Sequence, residues 1–268
     1  MLNSCRKSIL GIGVALALAG TAANAGEGEQ EDGSLASQCG ALPTHQQLQT
    51  ALEIARAQSN GGFNLDMWGT VVNRDGVVCA VAFTGANRGA QWPGSRVISA
   101  QKANTANSFS LPGLALSTAD LYAAVQPGGT LYGLQHSNPV DTRVAYHGPA
   151  SDFGANDDPM IGHRIGGVNV FGGGLALYNS KGVLGGAIGV SGDTSCADHN
   201  IAWRTRHTLN LDFVPNGVSA KSDDNINYQG LVPVPSLQND FSHPICKIAG
   251  VDGVSAISAA LPAVQKVH

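Results

Sequence analysis

The sequence predicts an α+β fold built on an antiparallel sheet. Two β-rich stretches, "MWGTVVNRDGVVCAVAF" and "GGVNVFGGGLALYNSKGVLGGAIGV", each contain a tight turn, at residues 73–76 and 179–182. Tight hairpins pair strands antiparallel. Helical patterns stand before, between and after the hairpins, so the chain lacks the strand–helix alternation of a doubly wound parallel sheet.

The first helix is the clearest element. Thr44 stands three residues before Gln47, which is the spacing of a capping box. Four apolar residues then recur at helical period: Leu48, Ala51, Leu52 and Ala55. Residues 60–62, Asn-Gly-Gly, predict its end, because glycine tolerates the left-handed cap.

Three further helices follow from capping residues. Ser95 begins a helix after the first hairpin, and Ser117 or Thr118 caps a short one that ends before residues 127–129. Thr194 or Ser195 opens the last helix, which extends to about residue 208. The predicted order is helix, hairpin, two helices, loop, hairpin, helix.

The N-terminus predicts export. Residues 1–25 resemble a signal peptide, with Arg6 and Lys7 before an apolar run and Ala23-Asn24-Ala25 as the cleavage site. The apolar run is too short for a membrane span. We therefore expect a periplasmic or secreted protein without a membrane span in its mature form. Residues 26–40 predict a disordered lead-in, 41–210 the domain, and 211–268 an extended tail on the domain or a neighbouring subunit.

Charge and motifs exclude several classes of function. Without Arg6 and Lys7, the chain has 13 basic and 19 acidic residues, which disfavours nucleic acid and anionic lipid as partners. Residues 185–192 contain neither a dinucleotide nor a P-loop motif, and the chain has no GxSxG elbow. Its eight mature histidines show no HxH or HExxH spacing, which disfavours a closed zinc site.

Four cysteines remain after export, namely Cys39, Cys79, Cys196 and Cys246. An even number in an exported protein predicts two disulfides, and three pairings are possible. We favour Cys39–Cys79 and Cys196–Cys246, because they need only local closures. The absence of a CxxC motif leaves thioredoxin-type chemistry unsupported.

The segment "GGAIGVSGDTSCADHNIAWRTRH" leads from a glycine-rich strand directly into a helix. Helix capping explains Thr194, Ser195 and Asp198, because a carboxylate suits the positive helix end. Capping does not explain His199 or the arginines at positions 204 and 206.

Residues 130–165 form a long irregular loop rich in Asn, Asp, Pro and His. Loops of this length are usually functional or oligomer contacts. Just before and within it, "PGGTLYGLQHSNP" places Tyr132 and His136 close together. This segment is either a turn with a packing tyrosine or the rim of a pocket.

These motifs resemble the GlcG/HbpS-like haem-binding family. The similarity lies in "SAQKANTANSF", "STADLYAAVQPGGTLYGLQHSNP", the second hairpin and "CADHNIAWRTR", over roughly residues 42–208. The resemblance implies a profilin-like or PAS-like α/β sandwich with an antiparallel five-stranded sheet flanked by helices. It also implies haem as the cofactor and symmetric homo-oligomers. The insert at 140–165, the cysteines and the tail depart from the family pattern.

The resemblance implies a haem site at the sheet edge. It places the family's helix lysine at Lys102, an iron-proximal threonine at Thr118, and an acidic position at Asp198. His136 is the best-placed histidine ligand to haem iron, although Tyr132 could also reach it. Lys102 or Arg96 would pair with the propionates, and the helix start would present His199 beside the pocket. Thr118 is equally explained as a helix cap.

A cofactor-free lyase or isomerase is the alternative. Lys102 or Arg96 would hold the carboxylate of a small aromatic or hydroxy-acid substrate in the same pocket. Lys102, Tyr132, Asp198 and His199 would then be its catalytic residues, with acid–base steps by the last three or by His136. Both hypotheses require the second hairpin, the lysine helix and the Leu-Tyr-Gly segment to meet at one pocket.

Overall fold

The structure, a computed structural model, describes residues 35–229, 239–247 and 253–267. Its centre is a four-stranded antiparallel sheet in the order β2-β1-β4-β3. The strands are β1 (Trp68–Asn73), β2 (Val78–Phe83), β3 (Gly174–Tyr178) and β4 (Leu184–Ser191). Both predicted hairpins are present, and their turns place Gly76 and Gly182 at positive φ.

Seven α-helices surround the sheet within the described ranges. The longer three are α2 (His45–Arg56), α3 (Ser95–Phe109) and α6 (Ser195–Thr208). The shorter four are α1 (Leu35–Cys39), α4 (Leu134–Ser137), α5 (Thr142–Ala145) and α7 (Val254–Ala259). Short 3-10 turns occupy Ala123–Val125, Ala150–Asp152 and Asn239–Phe241.

The sheet separates two helical layers. Leu48 and Leu52 of α2 pack with Trp203 of α6 in a core against one face of the sheet. The alanine face of α3 packs in a second core against the other face, with Val72 of β1 and Ala187 of β4. The predicted α+β architecture is confirmed as a sheet with helices on both faces.

The expected fifth strand is wrong for the described residues. After α6 the chain returns to the free edge of β3, but only Asp212 pairs there, in an isolated bridge with Tyr178. The ladder stops because the Val214 N–H bonds to the Asp212 carbonyl, and Pro215 has no N–H to donate.

The capping predictions have mixed outcomes. Thr44 and Gln47 form the capping box of α2, and Thr194 caps α6 by accepting from the Ala197 N–H. Ser95 is inside α3, whose cap is Gly94 without a side-chain bond. The predicted short helix after Ser117 is instead a series of turns that ends in the 3-10 turn Ala123–Val125, because the Asp120 carboxylate binds the Ser117 N–H and hydroxyl.

Both favoured disulfides are present. Cys39–Cys79 attaches α1 to β2, and Cys196–Cys246 attaches the tail to the first turn of α6. The end of the predicted lead-in, Leu35–Cys39, is therefore a helix with a covalent attachment to the sheet. The predicted signal peptide lies outside the described residues.

The tail lies against α6 in the parts that are described. Arg206 of α6 forms a bidentate pair with Asp224 at 2.6 and 2.8 Å, and Trp203 donates to the Pro262 carbonyl. The tail is not extended throughout, since it contains α7. None of the helices in the described ranges combines the length and apolar character that a bilayer crossing requires.

A glycine on β4 allows α3 to lie directly on the sheet. A Cβ on Gly189 would stand 1.9 Å from the Ser99 carbonyl oxygen of α3, whereas a Cβ on Gly185 would meet only Leu42 at 3.6 Å. Replacing Gly189 must therefore push α3 away from the sheet.

We predict that Gly189→Ala lowers the free energy of unfolding by about 1–3 kcal/mol, through overpacking against backbone. Gly185→Ala on the same strand is the matched control and should change stability by less than about 1 kcal/mol. Urea unfolding of both variants measures the difference. Equal effects of the two substitutions would contradict the proposed contact.

Candidate functional site

Lys102 and Asp198 form a buried ion pair at the end of β4. The Lys102 ammonium lies 2.7 Å from the Asp198 carboxylate and 2.9 Å from the Val190 carbonyl oxygen. Lys102 belongs to α3 and Asp198 to α6, and neither side chain has appreciable exposure. Since these helices pack on opposite faces of the sheet, the pair connects the two layers around the strand end.

Asp198 also organises the turn between β4 and α6. Its second carboxylate oxygen accepts the N–H groups of Gly192 and Asp193, at 3.1 and 2.8 Å. Burial raises the pKa of Asp198 to about 6, although the Lys102 charge opposes this rise. Burial likewise lowers the pKa of Lys102, opposed by Asp198. These contacts show that Asp198 does more than cap a helix.

His199 is a buried neutral imidazole. Its Nε2 lies 3.2 Å from the Asn225 Oδ1, which can only accept, and the Ile226 N–H has its shorter bond, at 2.8 Å, to that same oxygen, so Nε2 carries the ring proton and donates it to Asn225. Nδ1 has no hydrogen-bond partner among the described residues. Burial lowers the pKa of His199 to about 3. The ring therefore lies beneath the tail, in contact with residues 225–226.

Thr118 is buried at the start of the turns before residue 123. Its hydroxyl donates to the Phe171 carbonyl at 2.6 Å and accepts from the Gly174 N–H at 2.9 Å. These two bonds fix the approach to β3. Coordination of iron by this oxygen would compete with both.

Tyr132 and His136 lie at the surface, unlike the four residues above. Tyr132 is 62% exposed, and His136 is an exposed residue of α4. The structure thus brings Lys102 and Asp198 into contact and leaves Tyr132 and His136 on an outer loop. The roles that the family resemblance implied for them remain predictions.

Arg96 holds the 140–165 insert against α3. Its guanidinium bonds both Asp158 carboxylate oxygens and the Ala145 carbonyl, and it stacks 3.7 Å over the Phe153 ring. Asp158 in turn accepts the N–H groups of residues 154 and 160, at 2.7 and 2.9 Å. Because Arg96 is buried and its guanidinium is bonded to Asp158 and to the Ala145 carbonyl, it acts here as a positioning residue for the insert.

A cavity of about 470 Å³ lies between the start of α3 and the insert. This volume falls within the roughly 300–1,000 Å³ that is usual for small-molecule sites. Aromatic, glycine and cationic residues line it: Trp68, Arg88, Gly89, Pro93, Gly94, Arg96, Val97, Tyr146, Ala150 and Phe153. Arg96 is the only predicted site residue among them.

Sequence reasoning missed Arg88 and Tyr146. Arg88 is exposed and makes no ion pair with any described residue, and Tyr146 is 64% exposed. The unusual length of the 130–165 loop is typical of functional segments and of oligomer contacts. Nothing in its composition indicated that it would reach the loop before α3.

The chain is an α+β domain with a four-stranded antiparallel sheet, and the start of α3 and the long insert line its cavity. The family description "Haem degrading protein HbpS-like" matches residues 44–206, more than half of the chain. This protein therefore belongs to the HbpS-like family. No curated protein sequence matches the chain significantly.

Six chains of solved structures match this chain, and they include the following three. The Klebsiella pneumoniae protein ORFY is 26% identical, over 61% of this chain and 86% of its own, with a TM-score of 0.42. A PduOC:heme complex is 24% identical over 63% and 96%, with a TM-score of 0.43. HbpS is 18% identical over 62% and 86%, with a TM-score of 0.38.

Lys102→Met should be strongly destabilising, because it leaves the Asp198 carboxylate buried without its counter-charge. We expect a loss of about 3–5 kcal/mol at neutral pH. A raised carboxyl pKa means that the folded state binds the proton more tightly than the unfolded chain, so the group favours folding at acid pH. The variant's deficit should therefore grow as the pH rises from 5 to 8.

Urea unfolding of wild type and variant across that pH range measures this effect. Lys102→Met/Asp198→Asn is the control, because it removes both charges while keeping one acceptor oxygen. It should lose less stability than the single variant and show a weaker pH dependence. A pH-independent deficit in Lys102→Met would contradict the ion pair.

Proposed function

We propose that this chain is an exported haem-binding protein whose ligand occupies the cavity between α3 and the 140–165 insert. The observation that carries the proposal is the aromatic-lined cavity of about 470 Å³ with Arg88 at its mouth. Membership in the HbpS-like family supports haem as the ligand. Storage, sequestration and sensing are all compatible with such a site.

The cavity residues suit the chemistry of a porphyrin, a flat apolar disc with two carboxylates. Trp68 and Phe153 provide an apolar aromatic wall of the cavity, and contacts with neighbouring residues fix the positions of both rings. Trp68 donates its indole N–H to the Trp92 carbonyl at 3.1 Å, and Phe153 stacks on Arg96. Arg88 lacks an ion-pair partner among the described residues, so its guanidinium is available for a propionate.

Tyr146 is the residue that we assign to the iron. The lining contains no histidine, cysteine or methionine, so its phenol is the one side chain there of a type that ligates haem iron. Bound haem would supply a redox-active iron centre to this pocket. The chain's own contribution is to bind the disc, pair its carboxylates and exclude water from its inner face.

The surface loop with Tyr132 and His136 is the other location to consider. These residues follow from the family resemblance, and their exposure would let them contact a ligand from outside or in a neighbouring subunit of the expected homo-oligomer. Lys102, Thr118 and His199 would need to exchange their present buried bonds to join such a site. The cavity requires no such rearrangement.

Export is part of the same proposal. Two disulfides form within the described residues, and stable disulfides are typical of oxidising compartments. Together with the predicted signal peptide, they support a periplasmic or secreted location.

A small aromatic carboxylate is the second candidate ligand. The lining favours it in one respect, because Arg88 matches a carboxylate and no imidazole is present. Turnover of such a molecule as a lyase or isomerase substrate would need acid–base groups at the cavity. Lys102, Asp198 and His199 are outside the lining, so this candidate is a binding function in the present geometry.

Haemin titration followed by the Soret band tests the proposal. Gly94→Trp should weaken binding at least about tenfold, because its side chain would enter the cavity from a position where a Cβ meets nothing within 4 Å. Arg88→Gln should weaken it about two- to fivefold, as expected for an exposed pair. Tyr146→Phe should shift the Soret maximum if the phenol ligates iron.

Gly113→Trp is the matched control, since a Cβ there also meets open space but lies away from the cavity. It should bind haemin like the wild type. Loss of binding in Tyr132→Phe/His136→Ala, with Gly94→Trp unaffected, would move the site to the surface loop. If benzoate binds in the cavity and haemin does not, the second candidate is correct.

A further inference from the structure

The disulfide Cys196–Cys246 lies against a buried histidine. The ligand atoms of Cys196, His243 and Cys246 all lie within 4.8 Å of one another, and His243 is 2% exposed. In the oxidised protein the two sulfurs are bonded to each other, so neither is available to a metal ion. Reduction would release two thiols beside an imidazole.

We propose that reduction of this disulfide opens a Cys₂His site for Zn²⁺ formed by Cys196, Cys246 and His243. Two thiolates and one imidazole are ligands that suit zinc, and three protein ligands leave a fourth position for water. The site is independent of the haem proposal, and it uses neither the cavity nor the surface loop.

The orientation of His243 favours coordination through Nε2. Its Nδ1 lies 2.6 Å from the Pro244 carbonyl oxygen, which can only accept, so Nδ1 carries the proton. Metal-bound histidines commonly donate their second ring N–H to a carbonyl in this way. Nε2 is consequently an acceptor, and it now binds the Ser195 hydroxyl at 2.7 Å. Zinc would replace that hydroxyl as the partner of Nε2.

The backbone is already arranged to stabilise two thiolates. The Cys196 N–H donates to the Cys246 sulfur, and the Cys246 N–H donates to the Cys196 sulfur, each at 3.2 Å. Cys196 also lies in the first turn of α6, where the helix dipole favours negative charge. Cys246 is partly exposed, which gives a reductant a sulfur to attack.

Reduction of the disulfide precedes zinc binding. A dithiol reductant passes two electrons and two protons to the disulfide; the S–S bond breaks, two thiols form and the dithiol becomes a disulfide. Zn²⁺ then forms two S–Zn bonds and one N–Zn bond, and the two thiol protons are released to solvent. Zinc would thus keep the tail on α6 when the covalent link is lost.

Differential alkylation of the full chain tests the site. The protein is reduced with a water-soluble phosphine, which does not compete for zinc as a dithiol does, and is then treated with iodoacetamide with or without one equivalent of Zn²⁺. Zinc should lower the alkylation of Cys196 and Cys246 at least about tenfold. Cys39 and Cys79, the matched internal control, should react equally in both samples.

Equal alkylation of these two pairs of cysteines with and without zinc would overturn the proposal, as would equal protection of both pairs. Far-UV circular dichroism follows the fold of the reduced chain. A reduced chain that is unfolded and is not refolded by zinc would also overturn it.

Cobalt is the second probe, because its thiolate charge-transfer band reports the ligands directly. Reduced wild type should bind Co²⁺ at this site, whereas the oxidised protein should show no such band. Loss of a residue that only hydrogen-bonds to a metal ligand weakens metal affinity roughly 10–100-fold, so loss of the ligand itself in His243→Gln should weaken Co²⁺ binding by at least that factor. His136→Gln should leave Co²⁺ binding unchanged. An unchanged affinity and spectrum in His243→Gln would exclude the histidine and the proposed site.

Discussion

The buried pair of Lys102 with Asp198 is the interaction on which the arrangement of this domain depends. It connects helices from opposite faces of the sheet, and it does so at the strand end where β4 turns into α6. Removing one partner of such a pair leaves an unpaired charge in the interior, which destabilises the fold far more than removing both partners. The lysine and the carboxylate must therefore be kept or lost together. This explains why an acidic residue stands so soon after a glycine-rich strand.

Two other buried pairs attach the insert and the tail in the same way. Arg96–Asp158 anchors the insert to α3, and Arg206–Asp224 anchors the tail to α6. Arginine suits both positions, because its planar fork can satisfy a carboxylate and a backbone carbonyl at once. In both cases the second bond is to a carbonyl, of Ala145 and Ala176 respectively. The additions are thus integral to the core, although they lie outside the sheet.

Local chemistry made much of the fold predictable. The Thr44–Gln47 capping box, the two hairpin turns and the disulfide pairing each depend on residues close in sequence or on a small number of possibilities. The fifth strand came from the family resemblance, and the wrong expectation shows what a resemblance leaves out. A strand at the edge needs donors as well as position, and the bond between Val214 and Asp212 followed by Pro215 removes them.

The candidate site was less predictable, because burial is a property of the whole fold. The sequence predicts Lys102 and Arg96 as cations available to a ligand, and nothing within α3 indicates that carboxylates 96 and 62 residues away neutralise them. Tyr132 and His136 posed the opposite problem, since a glycine-rich turn does not reveal which way its side chains face. Sequence patterns identify residues that can do chemistry. Exposure then decides which of them can reach a ligand.

The same reasoning explains why the cavity belongs to this chain's insert. Arg96 places Phe153 against the start of α3, and Gly154 lets the insert pass over Trp68 and Phe83, since a Cβ there would stand 2.3 Å from the Phe83 ring. The pocket wall therefore depends on a buried cation whose guanidinium is already bonded to Asp158 and to the Ala145 carbonyl, whereas the exposed Arg88 has no ion-pair partner among the described residues. Arg96 and Arg88 both line the cavity, and they differ in whether a carboxylate of the protein already binds the guanidinium. For that reason Arg88, which sequence analysis passed over, is the better candidate to recognise a carboxylate.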